Sequence, residues 1–390
     1  MSGTVYEEAI APLAAEIAGL VPDCPILDAH THLGLDEDGR SLTPDKLIAA
    51  LDEVSVDARA CTFPLHDPER RPAYRIPNDR VLAWARESGG RLIPFCRLDP
   101  AEDPVAEAER AIAAGARGIK LHPRAQEFAF DHDASDAIFA AARDAGVPIL
   151  IHAGRGMGRM DALADQALRF PEVPLILAHA GIADQGMFAT RLADHPAVVY
   201  DTSTFSAMDV LELFARVPAE RIVFASDIPY GRTRTGLYLL LRVAAYAGLD
   251  EATCALILGG TMAALVEGRP PAPPQPPRLP EERPVNGRLA RVSAYLASAM
   301  GAALGGGPPA DLARGAQGIS LARAVCRDPA PGDAGEALAR IDALLEAAQR
   351  MIAGADADDD VIPTIGLIGV AGVIAATEPV GATARIGADA

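Results

Sequence analysis

Five of the eight histidines in this 390-residue chain close short apolar runs: His30 and His32 in DAHTHLG, His122 in GIKLHP, His152 in ILIHAG and His179 in LILAHAG. A further run, FASDIPYG, carries Asp227 at the same place. Strand side chains alternate with a period of two, so the imidazoles of an HxH pair point the same way and can share one ion. HxH pairs are common by chance, and any one of these histidines alone is most simply read as packing. Together at successive strand ends, imidazoles and a carboxylate are the donor types of Zn²⁺ or a similar divalent ion. An open coordination position would lower the pKa of bound water toward neutrality and generate a nucleophile. Three histidines fall outside the pattern: His66 reads as a rim residue, and His132 and His195 as surface or capping residues.

The elements that must position these groups repeat in a regular order. Apolar, β-branched runs occur at 24–30, 58–64, 91–98, 116–122, 147–153, 173–180, 197–203 and 221–227, each followed by a loop and a helical pattern. TPDKLIAALDEV opens one such helix, with Thr43 at the N-cap position and Pro44 in the first turn. Continuous apolar strands separated by helices predict a parallel sheet covered by helices. Eight units of this length predict an α/β fold, a (β/α)₈ TIM barrel, whose active site lies at the C-terminal ends of the strands. An open doubly wound sheet would be expected to carry a glycine-rich phosphate loop after the first strand, and DAHTHLGLDEDG is not one.

The chain divides into four segments: a lead-in helix at 1–23, the barrel at 24–268, a linker at 269–284 and an Ala-rich helical unit at 285–390. The linker, RPPAPPQPPRLPEERP, is a polyproline-type spacer. The last unit is expected to be a small all-α bundle for docking or homo-oligomerisation. One helix in it has Leu338, Ile341, Leu345, Ala348 and Ile352 on a stripe. Its apolar run at 361–376 is shorter than a membrane span, contains Pro363, and reads as a packed helix.

HxH after strand 1, His after strands 5 and 6, and Asp after strand 8 resemble the metal-dependent amidohydrolase superfamily. DAHTHLG, GIKLHP, LAHAG and SDIPYG are similar to its amidohydrolase-related branch, which includes 2-amino-3-carboxymuconate-semialdehyde decarboxylase and related decarboxylases and hydrolases. LILGGTMAALV resembles that branch's closing motif, with Thr261 where an Asn is common. The resemblance covers roughly residues 24–268. It implies that His30, His32, His152 and Asp227 hold the metal, that His179 is the acid/base, and that Asp227 also accepts a proton. It implies one Zn²⁺ as the first expectation, with Mn²⁺ or a binuclear site as alternatives. In binuclear members a carboxylated lysine on strand 4 bridges the metals. Lys120 holds that position; it and His122 are candidate bridging or substrate-binding residues, and the plain alternative for Lys120 is a barrel-interior lysine paired with an acid. Only two of the 35 basic residues are lysines, and Lys46, the other, falls on an ordinary helix.

Charge and composition narrow the function. The formal net charge is −18, which disfavours nucleic acid as a partner. Against that trend the loops expected at the barrel mouth are rich in arginine: Arg70, Arg71 and Arg75, then Arg124, Arg155, Arg159, Arg232 and Arg234. Guanidinium groups there, Arg124, Arg155 and Arg232 above all, suit a small anionic, carboxylate-bearing substrate. The five cysteines are scattered, with no metal-finger spacing, and the N-terminal segment lacks a basic leader, so a reduced, cytoplasmic protein is expected. The leading expectation is a hydrolase that uses a metal-activated water on an amide, ester or lactone. The alternatives are non-oxidative decarboxylation of an unsaturated or aromatic acid, or a barrel that has lost catalysis and serves as a scaffold.

Overall fold

The computed structural model describes residues 2–130, 133–154, 160–204, 206–278, 286–304, 309–328, 334–354, 360–378 and 386. Its strands are β1 (Leu27–Leu35), β2 (Ser41–Leu42), β3 (Arg59–Pro64), β4 (Leu92–Pro94), β5 (Cys96–Arg97), β6 (Ile119–Leu121), β7 (Ile149–His152), β8 (Leu175–Ala178), β9 (Val198–Asp201) and β10 (Ile222–Val223). All eight expected runs form strands. β4 and β5 are one barrel strand interrupted at Phe95, whose N–H still donates to Thr62 in β3. β2 is an antiparallel addition on the end of β1.

Neighbouring barrel strands pair in parallel from β1 through β3 to β4, and from β5 to β10. The ring closes between β10 and β1. Ala29 donates to Phe224, Asp227 to His30 and His32 to Ile228, all at 2.9 Å. These bonds bring both histidines of the HxH pair and Asp227 into one seam. Alternation then sorts the side chains. Phe63, Leu150, Ile176, Val199 and Val223 fill the barrel interior, while Ile119, Ile151, Leu177 and Tyr200 pack outward against the helices.

The N-terminal helix is α1 (Ser2–Leu20). The barrel carries α2 (Pro44–Asp52), α3 (Arg75–Glu87), α4 (Pro104–Ala113), α5 (Asp133–Ala145), α6 (Met160–Arg169), α7 (Gln185–Arg191), α8 (Ala207–Arg216), α9 (Thr233–Tyr246), α10 (Glu251–Ala255) and α11 (Thr261–Val266). Met262 and Leu265 of α11 join the interior cluster. The Gly-Gly pair before α11 has a steric reason: a Cβ on Gly259 would lie 2.6 Å from the Pro25 carbonyl oxygen. Thr43 stands at the N-cap of α2, though its side chain makes no capping bond there. His195 is buried rather than on the surface. It contacts the Ala167 carbonyl in the last turn of α6 at 3.2 Å and accepts from the Ala197 N–H, so it ties that helix to β9.

Helix α1 and the C-terminal helices α12 (Gly287–Leu304), α13 (Pro309–Cys326), α14 (Gly335–Ala353) and α15 (Ile362–Ala376) pack beside the barrel. Here α15 lies on α8, α9 and α1, and α14 lies on α1. The run read as a packed helix is α15, buried along most of its length. A buried polar cluster holds the contact: Tyr238 donates to Glu16 at 2.7 Å, Arg340 bonds both, and Arg242 donates to Thr377 at 3.0 Å. Residues 269–278 of the linker form neither helix nor strand, and 279–284 lie outside the described residues. No described helix is long and apolar enough to cross a membrane.

Because α15 is packed on barrel helices, the two parts should unfold together. Leu367 is fully buried in α15, and Leu367→Ala should cost roughly 3 kcal/mol. Trp84, the single tryptophan, lies in α3 of the barrel. In chemical denaturation its fluorescence midpoint should fall together with the helical circular-dichroism midpoint. A shift in the helical signal with unchanged tryptophan fluorescence would contradict this coupling.

Candidate metal centre

An irregularity in β1 aims the HxH pair. Leu27 and Ala29 belong to the barrel interior, whereas Ile26 and Leu33 face outward. Unbroken alternation from Ala29 would send His30 outward too. The pairing with β3 shifts register between Asp28 and Thr31, and this bulge turns His30 and His32 inward. His30 then packs 5.2 Å from the Phe63 ring. Lys120 and Asp201 reach the interior by ordinary alternation.

Backbone conformation aims the rest. His179 follows the inward Ala178 and would point away from the interior, but its φ is +58° and that of Ala180 is +54°. Asp227 has φ +56°. Such left-handed conformations are strained for residues with side chains, and here they coincide with the proposed chemistry.

Three donor atoms converge at the mouth. His30 Nε2 is 3.2 Å from His32 Nε2 and 3.1 Å from Asp227 Oδ1, and His32 Nε2 is 3.0 Å from the same oxygen. No other group of three such residues is placed this way among the described residues. Ligands about 2.1 Å from a tetrahedral ion sit about 3.4 Å apart. The set therefore accepts a divalent ion after outward shifts of a few tenths of an ångström.

Asp201 selects the tautomer of His30. Its Oδ2 accepts from His30 Nδ1 at 2.7 Å, with both side chains fully buried, which leaves the Nε2 lone pair facing the cluster. Its other oxygen accepts from the His179 N–H at 2.8 Å, the Ser203 N–H at 3.0 Å and the Ser203 hydroxyl at 2.5 Å. Burial, with Lys120 as the next cause, drives the pKa of both His30 and His32 well below the usual range. Each is then neutral near pH 7, the form that binds a metal.

His152 and His179 form a second group beside the first. His179 Nδ1 lies 2.9 Å from the Ser203 carbonyl, an acceptor only, so Nδ1 carries the proton. Its Nε2 then accepts from His152 Nδ1 at 2.9 Å. That assignment leaves His152 Nε2 as a lone pair, buried and without a partner. His152 stacks on His122, with centroids 3.9 Å apart, and His122 Nδ1 accepts from the Ala125 N–H. The structure thus brings His30, His32 and Asp227 together as donors, while His152 stands next to His179.

Lys120 is fully buried, its Nζ 3.2 Å from His30 Nε2 and 4.6 Å above the Phe63 ring. Burial lowers its pKa to about 7, against the pull of Asp227. Several rim arginines are already engaged. Arg232 pairs with Asp360, Arg70 with Glu37, Arg71 with Glu102, and Arg234 with Glu7 and Glu53. Arg124 is exposed, and Arg155, Arg159 and His132 lie outside the described residues.

Sequence reasoning missed several members. Asp201 ends β9 in AVVYDTS, the same signal that singled out Asp227. Arg97 is a fully buried charge within a strand, donating to the Pro64 carbonyl at 3.2 Å and lying 3.4 Å from His66 Nδ1. His66 also takes a 2.5 Å hydrogen bond from Tyr74, and burial lowers its pKa to about 4. Tyr230, three residues after Asp227, packs edge-on to His32 at 5.6 Å and lies beneath Arg40.

Among known protein families, the Amidohydrolase profile matches residues 27–267. No curated protein matches. Among solved structures, the apo form of Metarhizium anisopliae IDCase is similar at 15% identity and TM-score 0.51, over 63% of this chain and 98% of that one. A 5-carboxyvanillate decarboxylase from Novosphingobium aromaticivorans, with bound manganese, is similar at 14% identity and TM-score 0.49, over 64% and 99%. A probable 2-pyrone-4,6-dicarboxylic acid hydrolase from Acinetobacter baumannii, with citric acid bound, is similar at 14% and 0.49, over 62% and 99%. At 15% identity the likeness to the first of these is one of fold alone. The family match spans more than half of the chain and ends before the C-terminal helices, and on that match the chain belongs to the amidohydrolase family.

Proposed function

We propose that the chain is a divalent-metal-dependent hydrolase of a small, carboxylate-bearing amide, ester or lactone. The observation that carries this reading is the convergence of two neutral imidazoles and a carboxylate within 3.2 Å of one another, with His30 oriented by Asp201. A divalent ion bound there would polarise a carbonyl and lower the pKa of a bound water. The nitrogen-and-carboxylate set suits Zn²⁺ first and Mn²⁺ second.

The chain's own groups then divide the work. His30, His32 and Asp227 would hold the ion, and His152 Nε2, a buried lone pair without a partner, is the atom that would offer a fourth ligand. His179 carries its proton on Nδ1, fixed by the Ser203 carbonyl, so Nε2, the atom that accepts from His152 Nδ1, is the one that would take up the water's proton and return it to the leaving group. Asp227 is the second proton acceptor. Lys120 and the rim residues Arg124 and Arg232 would hold the substrate's carboxylate, with His122 stacked on His152.

One observation favours decarboxylation of an unsaturated or aromatic acid as a second reading. Lys120 sits at the donor cluster itself, where a cation and a metal would both hold the carboxylate that departs as CO₂.

His30→Ala removes a donor and should abolish stoichiometric metal retention by elemental analysis; a full equivalent in the variant would refute the assignment. Asp201→Asn removes the charge and turns one of two accepting oxygens into a donor, and should weaken metal affinity by about 10- to 100-fold. Product analysis with carboxylate-bearing lactones, amides and enoic acids separates the two reactions. A new carboxylate without CO₂ supports hydrolysis, and CO₂ release supports decarboxylation instead.

A further inference from the structure

The bulge that turns His30 inward is pinned by a residue two places before it. Asp28 is a fully buried carboxylate in the apolar run CPILDAH. Such a group is costly in the interior unless its oxygens are bonded. Asp28 pairs with Ala60 and Thr31 with Thr62, so Ala29 and His30 together face Cys61 alone. Asp28 Oδ1 accepts from the His30 N–H at 3.1 Å. A side-chain oxygen bonded to its own backbone two residues on holds a local turn, here inside a strand. From the facing strand the bulge is held by Thr31, whose hydroxyl donates to the Cys61 carbonyl at 2.9 Å.

The same oxygen reaches across the seam where the barrel closes. Oδ1 also accepts from the Ser226 N–H at 3.0 Å, and Ser226 immediately precedes Asp227. Asp227 then turns with φ +56°, and its own N–H donates to the His30 carbonyl at 2.9 Å. One oxygen thus holds the backbone of the first metal donor and the backbone just ahead of the third. Their donor atoms, His30 Nε2 and Asp227 Oδ1, lie 3.1 Å apart. Asp28 Oδ2 is buried and has no hydrogen-bond partner among the described residues. The site therefore uses Asp28 as an acceptor fixed at one point rather than as a counter-charge.

We infer that Asp28 is a positioning residue of the metal centre: its Oδ1 ties the bulge in β1 to the segment after β10, and so sets the separation of the His30 and Asp227 donors. The inference rests on the reading of His30, His32 and Asp227 as metal donors. Asp28 acts on backbone, whereas Asp201 acts on the His30 ring. Loss of Oδ1 would strip this partner from two N–H groups, one on each donor-bearing segment. Buried N–H groups without a partner are costly, so the backbone on both sides would move to find another.

The test is titration of the full chain with Co²⁺, whose visible absorption reports the number and arrangement of its ligands, with chelator competition for affinity. Asp28→Asn keeps an oxygen for both N–H groups and puts its NH₂ where Oδ2 has no partner, so it should retain the wild-type spectrum. Asp28→Leu fills similar space without an acceptor and should weaken Co²⁺ affinity by about 10- to 100-fold. Its spectrum at saturating Co²⁺ should still differ from that of the wild type. Asp28→Ala takes its place if Asp28→Leu lacks native circular dichroism. A variant that was merely less stable would recover the wild-type spectrum at saturation, because its folded molecules would hold the donors unchanged. That recovery, or an Asp28→Asn spectrum altered in the same way as that of Asp28→Leu, would overturn the positioning role and leave the metal centre standing. A wild-type chain that takes up no Co²⁺ would overturn the metal-centre reading and this inference with it.

Discussion

The hydrogen bond between His30 Nδ1 and Asp201 is the contact on which the rest of the site depends. It joins β1 to β9 across the barrel mouth at 2.7 Å, with neither side chain exposed to water. A buried carboxylate is costly unless its oxygens are bonded, and every bond Asp201 accepts serves the site. One oxygen fixes the tautomer of His30. The other holds the backbone of His179 and both polar groups of Ser203. The first metal donor and the proposed acid/base thus share one anchor. His179 bends away from its strand with positive φ at that anchor, and the bonds to Asp201 and Ser203 offset the strain of doing so.

Much of this arrangement was legible in the sequence because burial and alternation speak directly through residue type. The eight strands stand out as apolar runs, and the ends of those runs carry the histidines and Asp227. Backbone departures are what the sequence conceals. Nothing in DAHTHLG announces a bulge, so the HxH spacing says that the two rings agree in direction without saying which direction. The turn at His179 is equally silent, since histidine has no conformational signature like that of glycine. Asp201 ends its run as Asp227 does, but an aspartate at a strand end resembles a turn residue as much as a ligand's support. Arg97, charged yet fully buried, was legible only as an oddity of composition.

Charge is distributed differently from the simplest reading of −18 outside and arginine at the mouth. Arg70, Arg71, Arg232 and Arg234 each meet a carboxylate of the same chain, so part of the excess acid neutralises the rim. Lys120 differs from them all. It is inside the barrel, beside His30, with burial working against its charge. The C-terminal helices also take on a larger part than their lack of motifs suggests. They bury the outer faces of α1 and α9, and through Asp360 they reach the barrel mouth.

The central claim is that His30, His32 and Asp227 form a metal centre. It is tested most directly by anomalous diffraction at the zinc edge from crystals grown with Zn²⁺. The predicted result is one peak about 2.0–2.2 Å from His30 Nε2, His32 Nε2 and an Asp227 oxygen. A crystal with no peak at these three atoms, or with its zinc bound elsewhere, would contradict it.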